Sequence, residues 1–313
     1  MKYLVTGGAG FIGSHITDLL IQEHHEVVIL DNLFSGKREN ISHLIEKNGM
    51  VHFINGSITD PAILKSACES VDGIFHEAAI ASVARSVNNP IATNEANVAG
   101  TLNVLTAARD AGVKKVVFAS SSSVYGDTPT LPKRESMCPC PKSPYAVSKH
   151  AGEEYLQVFS ELYGLKTLSF RYFNVFGPRQ DPKSDYAAVI PKFITRILSH
   201  ERPIIYGDGT QTRDFTYVKD VAEANIRAMK SSAEGVYNIA YGRQIDLNAL
   251  AELIMNITGI RTEPVYEPAR PGDIHDSLAD STRAQNAFGY NPKYTVKTGL
   301  TETIQWYQDR MTK

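Results

Sequence analysis

Tyr145 and Lys149 stand four residues apart, which on a helix puts a phenol and an ammonium on one face. A phenol works as a base near neutrality only if its pKa falls from about 10 to about 7, roughly 4 kcal/mol. A cation ~4 Å away in an effective dielectric of ~20 supplies about that much. Upstream, Ser120 to Ser123 run into Val124-Tyr125-Gly126, so at least one hydroxyl is expected at the carboxyl edge of a strand, where ligands bind. Pro144 suits the entry to the helix that carries Tyr145. A Ser-Tyr-Lys set of this kind reads as acid–base chemistry.

A hydride acceptor is expected beside that set. Gly7, Gly10 and Gly13 follow an apolar segment and open a helical one, the context of a dinucleotide fingerprint, here spaced GxxGxxG. Glycine permits the tight turn and the close approach of backbone N–H groups to a pyrophosphate at the helix N-terminus. Asp31 lies eighteen residues after Gly13 at the end of the next apolar run, where an acid bonds both ribose hydroxyls and repels a 2′-phosphate. NAD is therefore expected over NADP. Arg38, nearby, reads as a solvated loop charge, and His76 as a hydrogen-bonded residue at a strand end.

The elements that must position these groups alternate between short apolar runs and helix-length segments, as in a parallel sheet with crossover helices. Strands are expected at Lys2–Thr6, Glu26–Asp31, Val51–Asn55, Gly73–Glu77, Lys115–Ser120, Thr167–Phe173 and Gly235–Ala240. Helices are expected at Phe11–Gln22, Pro61–Cys68, Pro90–Ala111 and Pro144–Tyr163. After about residue 173 the pattern loosens, with loops at Gly177-Pro178, Tyr206 to Gly209 and Pro268 to Gly272. A chain of 313 residues suits one large and one smaller domain. Its net charge of −2, with both signs mixed throughout, argues against a nucleic-acid surface or a polybasic membrane segment. The three cysteines are Cys68, Cys138 and Cys140, and Cys138-Pro139-Cys140 lacks the spacing of a redox or zinc pair, so no metal is expected. No signal-peptide pattern precedes the glycine turn, and no apolar run reaches the ~18 residues of a membrane span. A cytoplasmic protein is the expectation.

The glycine run, Asn97, the serine run with Val124-Tyr125-Gly126, the Tyr145/Lys149 pair and Arg171-Tyr172-Phe173-Asn174 together resemble the extended short-chain dehydrogenase/reductase family. Within it the chain resembles the UDP-hexose 4-epimerases. Arg171–Pro178 with Tyr186-Ala187-Ala188-Val189-Ile190-Pro191 is similar to the bacterial UDP-N-acetylglucosamine 4-epimerases. The resemblance implies an α/β Rossmann-like, doubly wound parallel sheet with a smaller C-terminal α/β substrate domain. The NAD-binding part would span residues 1–173 plus about 217–240, and the UDP-sugar part about 174–216 plus 241–313.

It also implies roles. Ser121 would bond the sugar O4, Tyr145 would be the base, and Lys149 would bind the nicotinamide ribose. Phe11, Ile12, Asn32, Ser35, Gly36, Ser57, Ile58 and Asn97 would join the glycines and Asp31 around NAD. Ser82, Val83, Ser122, Ser123, Asn174, Ala188, Val189, Lys192, Tyr206, Arg213, Arg270, Asp273 and Ser277 would face the UDP-sugar. Two departures stand out. Ser57 replaces an acid that contacts adenine in many relatives, and Ala81 replaces a lysine of the glucose-specific epimerases.

Sugar 4,6-dehydratases look like Thr-Asp-Glu before Val-Tyr-Gly, and nucleotide-sugar decarboxylases carry glutamate where Ser123 stands. Here Ser121-Ser122-Ser123 offers no carboxylate, which leaves oxidation at C4, rotation of the keto sugar and reduction from the other face. Two alternatives stay open: a UDP-glucuronate 4-epimerase, and a dinucleotide-binding module without chemistry. Ser277 matches a position where epimerases restricted to plain hexoses carry tyrosine, so acetylated sugars are expected to fit. Val147, Ala151, Tyr155, Val158, Phe159 and Leu162 make an apolar arc wider than one sheet-facing side, and a homodimer through this helix is expected.

Overall fold

Along each central strand, successive side chains enter two different apolar layers. Tyr3, Val5, Val27 and Ile29 pack in one, while Leu4, Val28 and Leu30 pack in the other. Strands buried on both faces need helices on both sides, which parallel crossovers supply. In the computed structural model, which describes residues 1–45, 49–182, 188–269 and 275–311, six strands lead the chain. They are β1 (Lys2–Thr6), β2 (Glu26–Asp31), β3 (Val51–Asn55), β4 (Gly73–His76), β5 (Lys115–Ser121) and β6 (Lys166–Tyr172). With Gly235–Ile239 they form a seven-stranded, wholly parallel sheet in the order Gly235–Ile239, β6, β5, β4, β1, β2, β3. Helix α1 (Phe11–Gln22) and helix Val218–Lys230 cover one face; Pro61–Ala67, Gly100–Asp110 and Pro144–Tyr163 cover the other. The fold is a Rossmann-like doubly wound α/β sheet. Strand order reverses between β1 and β4, which opens a crevice at their carboxyl ends.

The expected helix Pro90–Ala111 is broken. It runs as Pro90–Asn94, one π turn at Glu95–Ala99, and Gly100–Asp110. The wide turn accompanies a side chain turned to other work: Asn97 Oδ1 accepts from Ile80 N at 2.8 Å, and its Nδ2 donates to Ile80 O and Ser148 Oγ. β5 runs one residue further than expected, to Ser121, which pairs with Tyr172. β6 begins at Lys166 and ends before Phe173, while β4 stops before Glu77.

The C-terminal part is more regular than its sequence pattern suggests. Helices Val189–Leu198, Leu247–Thr258 and Val296–Met311 bury Phe193, Ile194, Leu250, Ile254 and Leu300 in a third apolar cluster. Two short sheets, Ile204–Tyr206 with Val265–Glu267 and Thr212–Asp214 with Gln244–Asp246, border it. Among the described residues, no helix is long and apolar enough to cross a membrane.

Candidate active site

Tyr145 is held at the start of its helix. The Ser143 hydroxyl caps it by accepting from Ala146 N at 3.2 Å, and Pro144 fills the first helical position. Ser121 ends β5, and its Oγ accepts from Ser123 N and Ser123 Oγ at 3.2 and 2.9 Å. It also stands close enough to the Tyr145 phenol to oppose the rise of its pKa. Ser120 is committed elsewhere: its hydroxyl donates to Glu153, which is itself held by a two-point ion pair from buried Arg171. Of the four serines, Ser121 is thus the one placed to act on the phenol.

The expected electrostatic route to a basic phenol is corrected here. Burial raises the Tyr145 pKa, the Ser121 hydrogen bond opposes that, and the nearby Glu77 adds to the rise. The Lys149 ammonium lies 5.9 Å from the Tyr145 ring centroid and donates to Ala119 O at 2.7 Å. Burial lowers its pKa to about 8, against the pull of Glu77 and Glu153. The lysine therefore sits beside the phenol without being the interaction that lowers its pKa.

A cavity of about 370 Å³ opens along the crevice. Gly7, Gly10, Phe11, Ile12 and Gly13 line one wall; Asp31, Asn32, Ser35, Ser57 and Ile58 line another. The glycine turn leaves no room for side chains: a Cβ on Gly13 would stand 2.4 Å from Gly7 O, and one on Gly7 2.8 Å from Ala78 Cα. Gly7 also has φ +68°. The Asp31 carboxylate accepts from Ala9 N at 3.0 Å and Leu33 N at 2.8 Å, one bond per oxygen, so each oxygen keeps accepting capacity for a hydroxyl. A glycine cradle with a paired acid at its far end fits NAD. Gly36 does not line the cavity, but a Cβ there would meet the Asp31 oxygens at 2.7 Å. Asn97 is buried behind it and acts through Ile80, which does line it. The Ser57 hydroxyl bonds Thr59 Oγ1.

Sequence reasoning passed over Lys37, Glu77, Arg179 and Asp181, all of which line this cavity. Arg179 Nη2 pairs with Asp18 of α1 at 2.7 Å, while its Nη1 is buried without a partner among the described residues. The orphaned donor beside a pyrophosphate cradle suits an anionic ligand. Lys37 and Asp181 pair at 3.1 Å. Arg179 and Asp181 are distant in the chain from the glycine run, whereas Lys37 directly follows Ser35 and Gly36 and is legible beside them. Arg38 is exposed and stacks on the Phe53 ring. His76 is buried, bonded to Thr6 and Thr101, and burial lowers its pKa to about 3.

A second cavity, about 250 Å³, is lined by Asn174, Ala188, Val189, Lys192, Tyr206 and Arg213, with Gln211 as a further polar group. Arg213 Nη1 donates to Thr212 O and His275 O. Asn174, at φ +34°, donates to Asp214 O at 3.0 Å and to Ser277 Oγ at 3.2 Å. Ser277 therefore stands just behind the cavity wall. Ser82 and Val83 line neither cavity; the Ser82 hydroxyl caps the helix Val83–Asn88. Arg270 and Asp273 lie outside the described residues. The three cysteines are free. Among the described residues, no cluster of His, Cys, Asp and Glu could hold a metal ion.

Fold and site together define a nicotinamide-dependent α/β enzyme with a Ser-Tyr-Lys set. Residues 3–240 match the NAD dependent epimerase/dehydratase family. A putative UDP-glucose 4-epimerase of Methanocaldococcus jannaschii is 41% identical over 308 residues, 98% of each chain. The solved UDP-N-acetylglucosamine 4-epimerase of Methanobrevibacter ruminantium, in complex with UDP-N-acetylmuramic acid, superposes with a TM-score of 0.94 at 44% identity, covering 99% of both chains. The Thermus thermophilus UDP-glucose 4-epimerase, solved with NAD, gives 0.90 at 38% identity over 98% of this chain and 99% of its own. The chain belongs to the NAD-dependent epimerase/dehydratase family.

Proposed function

We propose that this protein is an NAD-dependent UDP-sugar 4-epimerase that accepts the N-acetylated pair, UDP-N-acetylglucosamine and UDP-N-acetylgalactosamine. The observation that carries the 4-epimerase reading is the Ser121 hydroxyl beside the Tyr145 phenol, at the start of a turn without a carboxylate. Elimination of water would need a further acid and base in that turn. NAD, when bound, supplies the hydride acceptor and donor and a cationic ring. The protein's own groups do the rest. Tyr145 takes the O4 proton at its phenol oxygen and returns it in the second half, so one group serves as base and then acid. Ser121 bonds both the phenol and O4, and favours the phenolate form. Lys149 would hold the nicotinamide ribose, Arg179 would contact the pyrophosphate, and Lys192 and Arg213 the UDP diphosphate.

Ser277 supports the acetylated substrates. Serine is small, and its hydroxyl rests on Asn174, which lines the second cavity. A tyrosine ring would occupy that side of the sugar, where an acetamido group must pass as the keto sugar turns. Ser277→Tyr should lower kcat/KM for UDP-N-acetylglucosamine at least about tenfold (1.4 kcal/mol) and spare UDP-glucose. Equal losses for both sugars, or none, would reject the gate.

The protein should also pair with a second copy of itself. Val87 and Ile91, on the short helices Val83–Asn88 and Pro90–Asn94, are 62% and 71% exposed. Val147, Val158 and Leu162 are exposed on the helix that packs against them, while Phe159 of the same arc turns inward.

A further inference from the structure

Glu77 follows β4 and lines the cofactor cavity on the side opposite Asp31, because β4 and β2 flank β1. Its Oε1 accepts from the Tyr172 hydroxyl at 2.8 Å, and that hydroxyl accepts from Asn225 Nδ2 at 2.8 Å. The relay from helix Val218–Lys230 through β6 fixes the carboxyl group in place. Glu77 is also close enough to influence the charge on both Tyr145 and Lys149, which puts it at the catalytic end of the cavity. No proton-transfer role for it is needed in the epimerisation, yet an acid is costly to keep in such a place.

We propose that Glu77 is the counter-charge of the nicotinamide ring, a positioning residue that holds the bound cofactor in its oxidised, cationic form. The oxidised ring carries a positive charge and the reduced ring carries none, so a fixed carboxylate favours NAD over NADH. An epimerase must end each turnover with NAD, because a reduced cofactor left behind after loss of the keto sugar is a dead end. The proposal rests on the family's nicotinamide cofactor and not on the identity of the sugar.

The carboxyl titrates where the effect can be seen. Burial raises its pKa to about 7, against the hydrogen bond from Tyr172 and the charge of Lys149. Below that value Glu77 is protonated and its preference for the cationic ring is lost; above it the preference is full. The charged and titratable groups around it are Tyr145 and Lys149 on the helix Pro144–Tyr163, Tyr172 on β6, and Arg179, Asp181, Lys37 and Asp31 along the same cavity. His76, next to it in sequence, is engaged by Thr6 and Thr101.

The test is the ratio of NADH to NAD dissociation constants, measured by exchange on the purified protein without sugar, between about pH 6 and pH 8. In the wild type the preference for NAD should grow with pH, with a midpoint near 7. Glu77→Gln should reduce that preference at least fivefold at about pH 8. Removing Glu77 also makes Lys149 easier to deprotonate, which alone would favour NAD, so the fall is read against an opposing effect. Tyr172→Phe keeps the carboxylate but removes the bond that favours its ionised form, so the midpoint should move to higher pH. A fall smaller than fivefold in Glu77→Gln, or an unmoved midpoint in Tyr172→Phe, overturns the proposal. A result of either kind leaves the substrate reading untouched.

Discussion

The two cavities are built on different principles. The cofactor cavity is organised around the glycine turn Gly7 to Gly13 at the switch point of the parallel sheet, with further walls supplied by residues as distant as Asp31, Ser57, Glu77 and Arg179. The second cavity is made of side chains drawn from short strands, helix starts and loops spread from Asn174 to Leu247. In the first, close approach of main chain to main chain sets the shape. In the second, paired side chains such as Asn174 and Ser277 do so. The first should tolerate almost no change in volume, and the second should accept changes that alter what is bound without disturbing the fold.

The largest expected effect is at the Tyr145 phenol, which lines neither cavity but stands close to Ser121 and Glu77. Tyr145→Phe should cut epimerase turnover by about 10³-fold, within the range for loss of a general acid–base group, while bound NAD and the melting temperature stay unchanged. Steady-state kinetics alongside calorimetry decide it, and retention of a tenth of the turnover would sink the assignment. Next comes the contrast in tolerance. In Gly13→Ala the new methyl would meet Gly7 O and Gly8 Cα, both main-chain atoms, so the turn must shift. A destabilisation of about 1–3 kcal/mol and loss of most bound NAD are expected, read by denaturant unfolding and mass spectrometry of released nucleotide. If Gly13→Ala is harmless while Ser277→Tyr unfolds the chain, the comparison is reversed.

Asp31 sharpens the first cavity's specificity. The nucleotide released by heating should be NAD, and Asp31→Asn should narrow the preference over NADP by about tenfold, because the like charge facing a 2′-phosphate is gone. Chiefly NADP in the wild type would contradict the reading of that carboxylate. The smallest effect on chemistry is expected far from both cavities. Ile91→Glu with Leu162→Glu should convert a dimer to monomers in sedimentation experiments with kcat within about twofold, since both side chains are largely exposed on the outer surface.

How far the chain could be read follows the same division. The ranges of β1, β2, β3, α1 and the Tyr145 helix agree with expectation, because each has its own apolar run and stop signals. The helix Leu247–Thr258 is equally marked, by Asp246 as its cap and Gly259 after its end, although the apolar pattern around it is looser. The π turn at Glu95–Ala99 carries no such mark, since Asn97 is engaged by Ile80 and Ser148, neither of them its neighbour in the chain.

Sequence alone determined the parallel sheet with crossover helices, the glycine cradle, the acid at the end of β2 and the phenol–lysine pair, since strand period, turn geometry and helix spacing are local properties. The doubly wound order was implied by the family resemblance. Tertiary structure decided which serine is spent on Glu153 and which meets the phenol. It also brought Glu77, Arg179 and Lys37 to one cavity and Ser277 to Asn174, 103 residues away. Those choices depend on burial and on partners distant in the chain, and the same burial raised the phenol pKa that spacing alone had suggested would be low.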